Sequence, residues 1–289
     1  MQPLVVALAC VGVANALTSR YKDLPSTVYG TSSKEAVFVT PYLSDQYAEA
    51  QALSASQVGD FKIHAGFLTL DAKASSNTYF VFSPAQNGDK DAPILLWLQG
   101  GPGASSLFGL FTEIGPFDID EDMKVVKRDV HWNEDHHLLV MDNPLGTGFS
   151  FTNDVEAMAT DEHMVGAALL EAVTQFFALF PDLKQNDFYV TGESYAGKYV
   201  PACGFAIHEA NAKRDAARRI NLKGVAIGDG AFDPAGQFYN FGELLYYAGM
   251  VDVTEKKQFD AYEATWKAQM AKKAALAAGA TAPPKPATA

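Results

Sequence analysis

The stretch NDFYVTGESYAGKYVPA sets Ser194 where an apolar, strand-like run gives out, between Gly192-Glu193 and Tyr195-Ala196-Gly197. A hydroxyl becomes a nucleophile only when a base takes its proton, and it is useful only where backbone N–H groups receive the developing oxyanion. A sharp strand-to-helix turn of the G-x-S-x-G kind serves both needs: small flanking residues let it tighten, and the following helix aims its N-terminus at the site. Ala196 holds the fifth position here, with Gly197 behind it. On the pentapeptide alone, a serine capping the next helix is an open alternative.

A second constellation, Trp97-Leu98-Gln99-Gly100-Gly101-Pro102-Gly103-Ala104-Ser105-Ser106, directly follows the apolar run APILL. Its glycines let backbone approach a ligand closely, and an exposed N–H there would be a second oxyanion donor. Phosphate binding is the rival, but no Lys follows the glycines and no Walker pattern can be drawn. The histidines point elsewhere. His136 and His137 are adjacent in a strand and face opposite sides, which argues against a shared metal with His131, Glu134 and Asp135. His163 and His208 read as helix residues, and Cys203 as a small core residue.

The elements that must position these groups are legible in the hydrophobic pattern. FKIHAGFLTL and NTYFVFSPA read as antiparallel strands joined by a polar turn. APILLWL, HHLLVMD, NDFYVTG and LKGVAIG are short runs apolar on both faces and separated by helical stretches, the mark of a parallel sheet covered on each side. Helices are predicted from Asp154 to Phe180, stopped by Pro181, and from Tyr195 to Arg219, ending in a basic turn that suits the helix dipole. Strand, helix, strand in this order is an α/β plan. Thr18 to Gln57 is polar with little periodicity, and beyond Asp233-Pro234 the pattern turns helical.

The 289 residues carry a formal charge of -12 and a pI near 4.9. That acidity argues against nucleic acid, whose phosphates need a basic surface. Leu4 to Val13 is an apolar run too short to cross a bilayer, and Ala14-Asn15-Ala16 is an A-x-A cleavage pattern, so 1–16 reads as a secretory signal; an N-terminal buried strand or helix is the alternative. No later segment reads as a membrane span. Cys10 would leave with that signal, and Cys203 alone can form no internal disulfide. There is no N-x-[ST] glycosylation acceptor.

WLQGGPGASSLFGLFTEIGPF, DNPLGTGFSFT, NDFYVTGESYAGKYVPA and IGDGAFDP, in this order and spacing, resemble the serine carboxypeptidases, and the Gln before the glycines and the IGDG run are most similar to their vitellogenic-like branch. The similarity spans roughly Phe61 to Gln269. It implies an α/β-hydrolase fold, with a central, mostly parallel sheet and helices on both faces. It also implies roles. Ser194 matches the nucleophile, and the N–H groups of Gly101 and Tyr195 match the oxyanion hole. Glu193, Glu113 and Gln99 match the residues that hold the substrate's free C-terminal carboxylate, with Gly100 and Trp97 beside them. The implied partner is a peptide or protein with a free C-terminus, and no cofactor or metal is implied.

The chemistry agrees with that assignment. A carboxyl beside the nucleophile repels a substrate carboxylate unless it is protonated, and pairing with a second carboxyl in a poorly solvated site raises one of the two pKa values. Glu113 and Glu193 can grip a C-terminus only while one stays neutral, which predicts a preference for acidic pH.

In this fold the triad runs Ser, acid, His. His208 is the only histidine after Ser194, fourteen positions along the helix leaving the turn, and it cannot return to the serine. The resemblance places the acid and the base near the C-terminus of a considerably longer chain. The sequence therefore reads as stopping inside a helical insertion, through an incomplete gene model, a truncated isoform or a non-catalytic relative, with negligible turnover expected as it stands. The expected domains are the signal at 1–16, a partial hydrolase core at 17–234, the start of a helical insertion or lid at 235–271, and a disordered Ala/Pro-rich tail at 272–289. A sheet short of its last strands would expose an edge. Alternatives are an acyltransferase or esterase using the same turn, and a secreted pseudoenzyme that binds peptides without cleaving them. The destination is the secretory pathway, either secretion or an acidic, lysosome- or vacuole-like lumen.

Overall fold

Nine strands and six helices follow from these patterns in a computed structural model that describes residues 36–237 and 240–277. Contacts divide the chain into Met1–Ala36 and Val37–Ala289, and the second unit holds the fold that follows. The predicted signal at 1–16 lies outside the described residues.

The strands are β1 (Ala55–Val58), β2 (Phe61–Asp71), β3 (Ser76–Ser83), β4 (Ile94–Leu98), β5 (Phe117–Ile119), β6 (Val125–Lys127), β7 (His137–Met141), β8 (Phe188–Glu193) and β9 (Leu222–Gly228). The helices are α1 (Tyr47–Ser54), α2 (Leu107–Thr112), α3 (Glu162–Leu179), α4 (Ala196–Lys213), α5 (Phe241–Tyr247) and α6 (Val253–Ala277), with a single turn at Pro234–Gln237. The large sheet runs β1-β2-β3-β7-β4-β8-β9, and β5 and β6 form a separate hairpin. β7, β4, β8 and β9 pair in parallel, while β1, β2 and β3 make an antiparallel flank joined through β3 to β7.

The four apolar runs fall on the four parallel strands, as their two-sided hydrophobicity requires. Leu96 and Leu98 of β4, Leu139 and Met141 of β7, and Phe188 and Val190 of β8 pack with α3 and α4 on one face. The alternate residues Leu138, Val140 and Trp97 face the other side, where α2 and the hairpin bring Leu110, Ile114 and Phe117. Each fully buried side chain of this size contributes roughly 1.5–3 kcal/mol by leaving water. This is the α/β-hydrolase architecture.

Three boundaries differ from expectation. The helix predicted from Asp154 begins at Glu162, because two Asp residues cap in succession: Asp154 accepts from the Glu156 N–H and closes a short turn at Val155–Ala157, and Asp161 accepts from the Met164 N–H and starts α3. α4 ends at Lys213, and Asp215 caps a separate turn at Ala216–Arg218. The last helix continues to Ala277, past the expected end of order at 271. In the segment predicted to lack periodicity, α1 and β1 form; α1 buries only Ala50 and Ser54, too few positions to register as an apolar stripe. β9 forms one edge of the large sheet, opposite the β1 edge, and Val225 on it is 49% exposed.

Candidate active site

Register brings the two predicted constellations together. Leu98 lies opposite Gly192 on adjacent parallel strands, so the chain leaves β4 into Gln99-Gly100-Gly101 beside the point where it leaves β8 into Ser194. Ligands of open α/β sheets bind at such carboxyl ends.

Ser194 has φ +55, a left-handed conformation that costs a non-glycine residue about 1 kcal/mol or more and persists only when surrounding bonds enforce it. They do. The Ser194 N–H donates to the Gly228 carbonyl at 2.9 Å, and the Ser194 carbonyl accepts from Gly197 at 3.0 Å and Ala231 at 2.9 Å. Ser194 is thus the corner of a strained strand-to-helix turn, and its side chain makes no hydrogen bond among the described residues. A helix cap would show a serine side chain accepting from the first turn; α4 has no side-chain cap bond.

Gly100 is where the glycine loop meets this corner. A Cβ there would lie 2.5 Å from Tyr195 N and 2.8 Å from Ser194 Cβ, so only glycine lets the loop come this close. Gly101 follows with φ +111. Among the described residues, the N–H groups of Gly101 and Tyr195 donate to no protein acceptor, the condition an oxyanion hole requires. The loop is tied down from behind by Asp142 at the end of β7. Its buried carboxylate accepts from Ser105 Oγ at 2.6 Å, Ser106 N at 2.9 Å and Phe149 N at 2.8 Å. Burial pushes the Asp142 pKa up, and these three bonds work against that.

Beside the serine runs a polar chain. Trp97 Nε1 donates to Gln99 Oε1 at 2.9 Å, and Gln99 Nε2 donates to Glu193 Oε1 at 2.6 Å. The indole fixes which way the amide points. Trp97 was expected among the carboxylate-binding residues; its one donor is already engaged by Gln99, so it orients that residue from one step behind. Glu113 sits at the C-cap of α2, half-buried, and is brought against Glu193. Its Oε2 is buried and has no hydrogen-bond partner among the described residues. Burial first, then the nearby charges of Glu193 and Asp229, raise the Glu113 pKa to about 7, against a lowering by Arg128. A proton is therefore retained by this pair into the neutral range.

The carboxyl pair faces a cavity of about 430 Å³ lined also by Trp97, Trp132, Thr191 and Ile227. A larger groove, about 950 Å³, runs between α3 and α4 past Phe205 and Phe232, but contains neither carboxyl of the pair, and Ser194 lines neither space. The convergent polar groups, and not the volume, mark the site.

All six histidines are described, and none bonds Ser194. His208 lies well along α4, roughly 18 Å from its start at 1.5 Å per residue. His137 opens β7, at the opposite end of the parallel strands from Ser194, and is buried, whereas His136 precedes it at the surface, so no shared metal site forms from the two. Cys203 is fully buried in the core, and burial pushes its thiol up to about 12. Sequence reasoning assigned no role to Asp142 or Asp229, although both lie in the quoted motifs DNPLGTGFSFT and IGDGAFDP.

The fold and its strained serine corner define an α/β-hydrolase. Within that class the chain belongs to the serine carboxypeptidase family, whose sequence profile matches residues 54–282. It is 44% identical over 266 residues to the vitellogenic carboxypeptidase of Aedes aegypti, covering 89% of this chain and 55% of that one. It is 46% identical to the probable serine carboxypeptidase CPVL of Homo sapiens, covering 83% of this chain and 51% of the relative. The crystal structure of Kex1Δp, a prohormone-processing carboxypeptidase from Saccharomyces cerevisiae, superposes with a TM-score of 0.67 at 28% identity, over 74% of this chain and 49% of that one. The chain spans about half the length of the curated relatives it matches.

Proposed function

We propose that this protein is a serine-type carboxypeptidase machinery that reads the free C-terminal carboxylate of peptides and proteins, with Ser194 as the acyl-accepting nucleophile and a preference for acidic pH. The observation that carries the proposal is the chain Trp97–Gln99–Glu193–Glu113 running beside Ser194. An esterase acting on neutral esters has no use for a retained proton between two carboxyls, whereas a carboxylate-reader needs one. In the proposed roles, Gln99 and the protonated member of the pair donate to the substrate carboxylate, Gly100 admits the close approach, and Gly101 and Tyr195 donate N–H groups to the oxyanion. Peptide attack forms the Ser194 Oγ–acyl bond and breaks the terminal peptide bond; the Ser194 proton must pass to a base and then to the leaving amine.

Residues 1–16 support delivery into the secretory pathway, and a relative 47% identical to this chain is named venom serine carboxypeptidase. Residues 235–271 are proposed as the start of a helical insertion or lid, and α5 and most of α6 lie in them.

A binding comparison tests the carboxylate-reading premise without requiring turnover. A peptide with a free C-terminus should bind the 289-residue chain at pH 5 at least about tenfold better than its C-terminal amide, the worth of one charge-assisted hydrogen bond. The preference should vanish by pH 8. Equal binding of acid and amide at both pH values would sink the carboxylate-reading role.

A further inference from the structure

A six-residue helix leaves most of its carbonyls without intrahelical partners, and one that ends at a functional residue needs something to hold that end. α2 is such a helix, with Glu113 as its C-cap. One guanidinium closes it. Arg128 Nη1 donates to the carbonyls of Thr112 at 3.1 Å and Glu113 at 3.0 Å, and Nη2 donates to Phe111 at 3.1 Å. From its far side Nη2 also pairs with Asp118 of β5 at 3.1 Å. The Arg128 backbone N–H donates to Pro116 at 3.0 Å, so both ends of the residue are tied to the segment that carries Glu113. The side chain is only 18% exposed.

We infer that Arg128 is the positioning residue of the carboxylate site: its planar fork, locked onto the three carbonyls that end α2, holds the Glu113 carboxyl against Glu193. This rests on the carboxylate-reading role of Glu113 proposed above. The fork matters because a lysine ammonium carries the same charge but is a single point, unable to span three carbonyls in one plane. Arg128 also supplies the positive charge that works against the raised Glu113 pKa, so losing the charge and losing the position act in opposite directions. Glu193 on β8 and Asp229 after β9 are the other charged groups that act on Glu113. A charge-preserving substitution therefore isolates the positional role.

The test is a carbon-13 NMR titration of glutamate carboxyls in the 289-residue protein, with the Glu113 signal assigned by its loss in Glu113→Gln. In Arg128→Lys the Glu113 midpoint should fall toward the ordinary glutamate value by roughly one pH unit or more, because the carboxyl swings away from Glu193. The preference for free-acid over amidated peptide near pH 6 should fall with it. A Lys variant whose midpoint and selectivity match the wild type overturns the inference. If Arg128→Lys does not fold by circular dichroism, Asp118→Asn loosens the same guanidinium from the hairpin side; a smaller downward shift supports the inference and an unmoved midpoint overturns it. If the wild type shows no free-acid preference, the carboxylate-reading role fails, while the titration still decides whether Arg128 positions Glu113.

Discussion

Leu98 and Gly192 stand opposite one another on adjacent parallel strands, and this pairing lays the amide of Gln99 on the carboxylate of Glu193 at 2.6 Å. One register step in either direction would carry the glycine loop away from the serine corner. The site is therefore a property of strand pairing first and of side chains second: Ile94–Leu98 of β4 pair in parallel with Phe188–Gly192 of β8 along the whole shared length.

Glu193→Gln should uncouple the pair. Burial still raises the Glu113 pKa, but the neighbouring charge is gone, so more of Glu113 is ionised at pH 6. Selectivity for a free C-terminus over its amide at that pH should drop about tenfold, read by isothermal titration calorimetry. An unchanged ratio would mean that the carboxyl pair does not read the C-terminus.

The same pair should mark the stability profile. A carboxyl whose folded pKa stands above its unfolded value binds more protons in the folded state, so its contribution is present at low pH and lost as pH rises. For Glu113 that window runs from 4.5 to about 7. His64, His131 and His137, whose pKa values burial lowers, act in the opposite sense over the same range, so the reading is the difference between wild type and Glu113→Gln. The unfolding temperature of the wild type relative to Glu113→Gln should fall as pH rises through the window, and a difference that stays level would contradict the assignment.

Much of this arrangement was legible in the residues and the rest was not, for physical reasons. Apolar runs on both faces announced the four parallel strands, and Ser194, Glu193 and the glycine loop were visible in motifs whose spacing the chemistry demands. Arg128 was invisible, because it sits in the unremarkable run KVVKRD and acts through backbone carbonyls, which no side-chain pattern encodes. Asp142 was hidden for the same reason: two of its three donors are backbone N–H groups that only the fold gathers. The start of α3 was misjudged because a capping Asp can close a short turn as well as open a helix, and Asp154 and Asp161 do one each.

When residues 1–289 are expressed by themselves, Ser194 should be poorly activated. No imidazole within residues 1–289 bonds its hydroxyl, and a serine nucleophile without an imidazole partner loses on the order of 10⁶-fold in rate. A fluorophosphonate probe followed by mass spectrometry should label the protein slowly, at Ser194 and not in Ser194→Ala. Rapid stoichiometric labelling would reveal a proton acceptor other than histidine.

Gly100→Ala tests the contact between the loop and the serine corner. The added Cβ would lie 2.5 Å from Tyr195 N and 2.8 Å from both the Glu193 carbonyl oxygen and Ser194 Cβ, and backbone cannot swing aside as a flexible side-chain end would. The loop or the corner must shift, at a cost of about 1–3 kcal/mol for overpacking. In a protein of this size, each kcal/mol lowers the unfolding temperature by roughly 2–4 °C. Gly224→Ala on β9 is the matched control, since its new Cβ meets Tyr189 at 3.4 Å, an ordinary contact. Differential scanning calorimetry should show the Gly100 variant clearly destabilised and the Gly224 variant close to wild type. Equal unfolding temperatures for the two would mean that the glycine loop does not press on the serine corner, and the proposed oxyanion hole would lose its geometry.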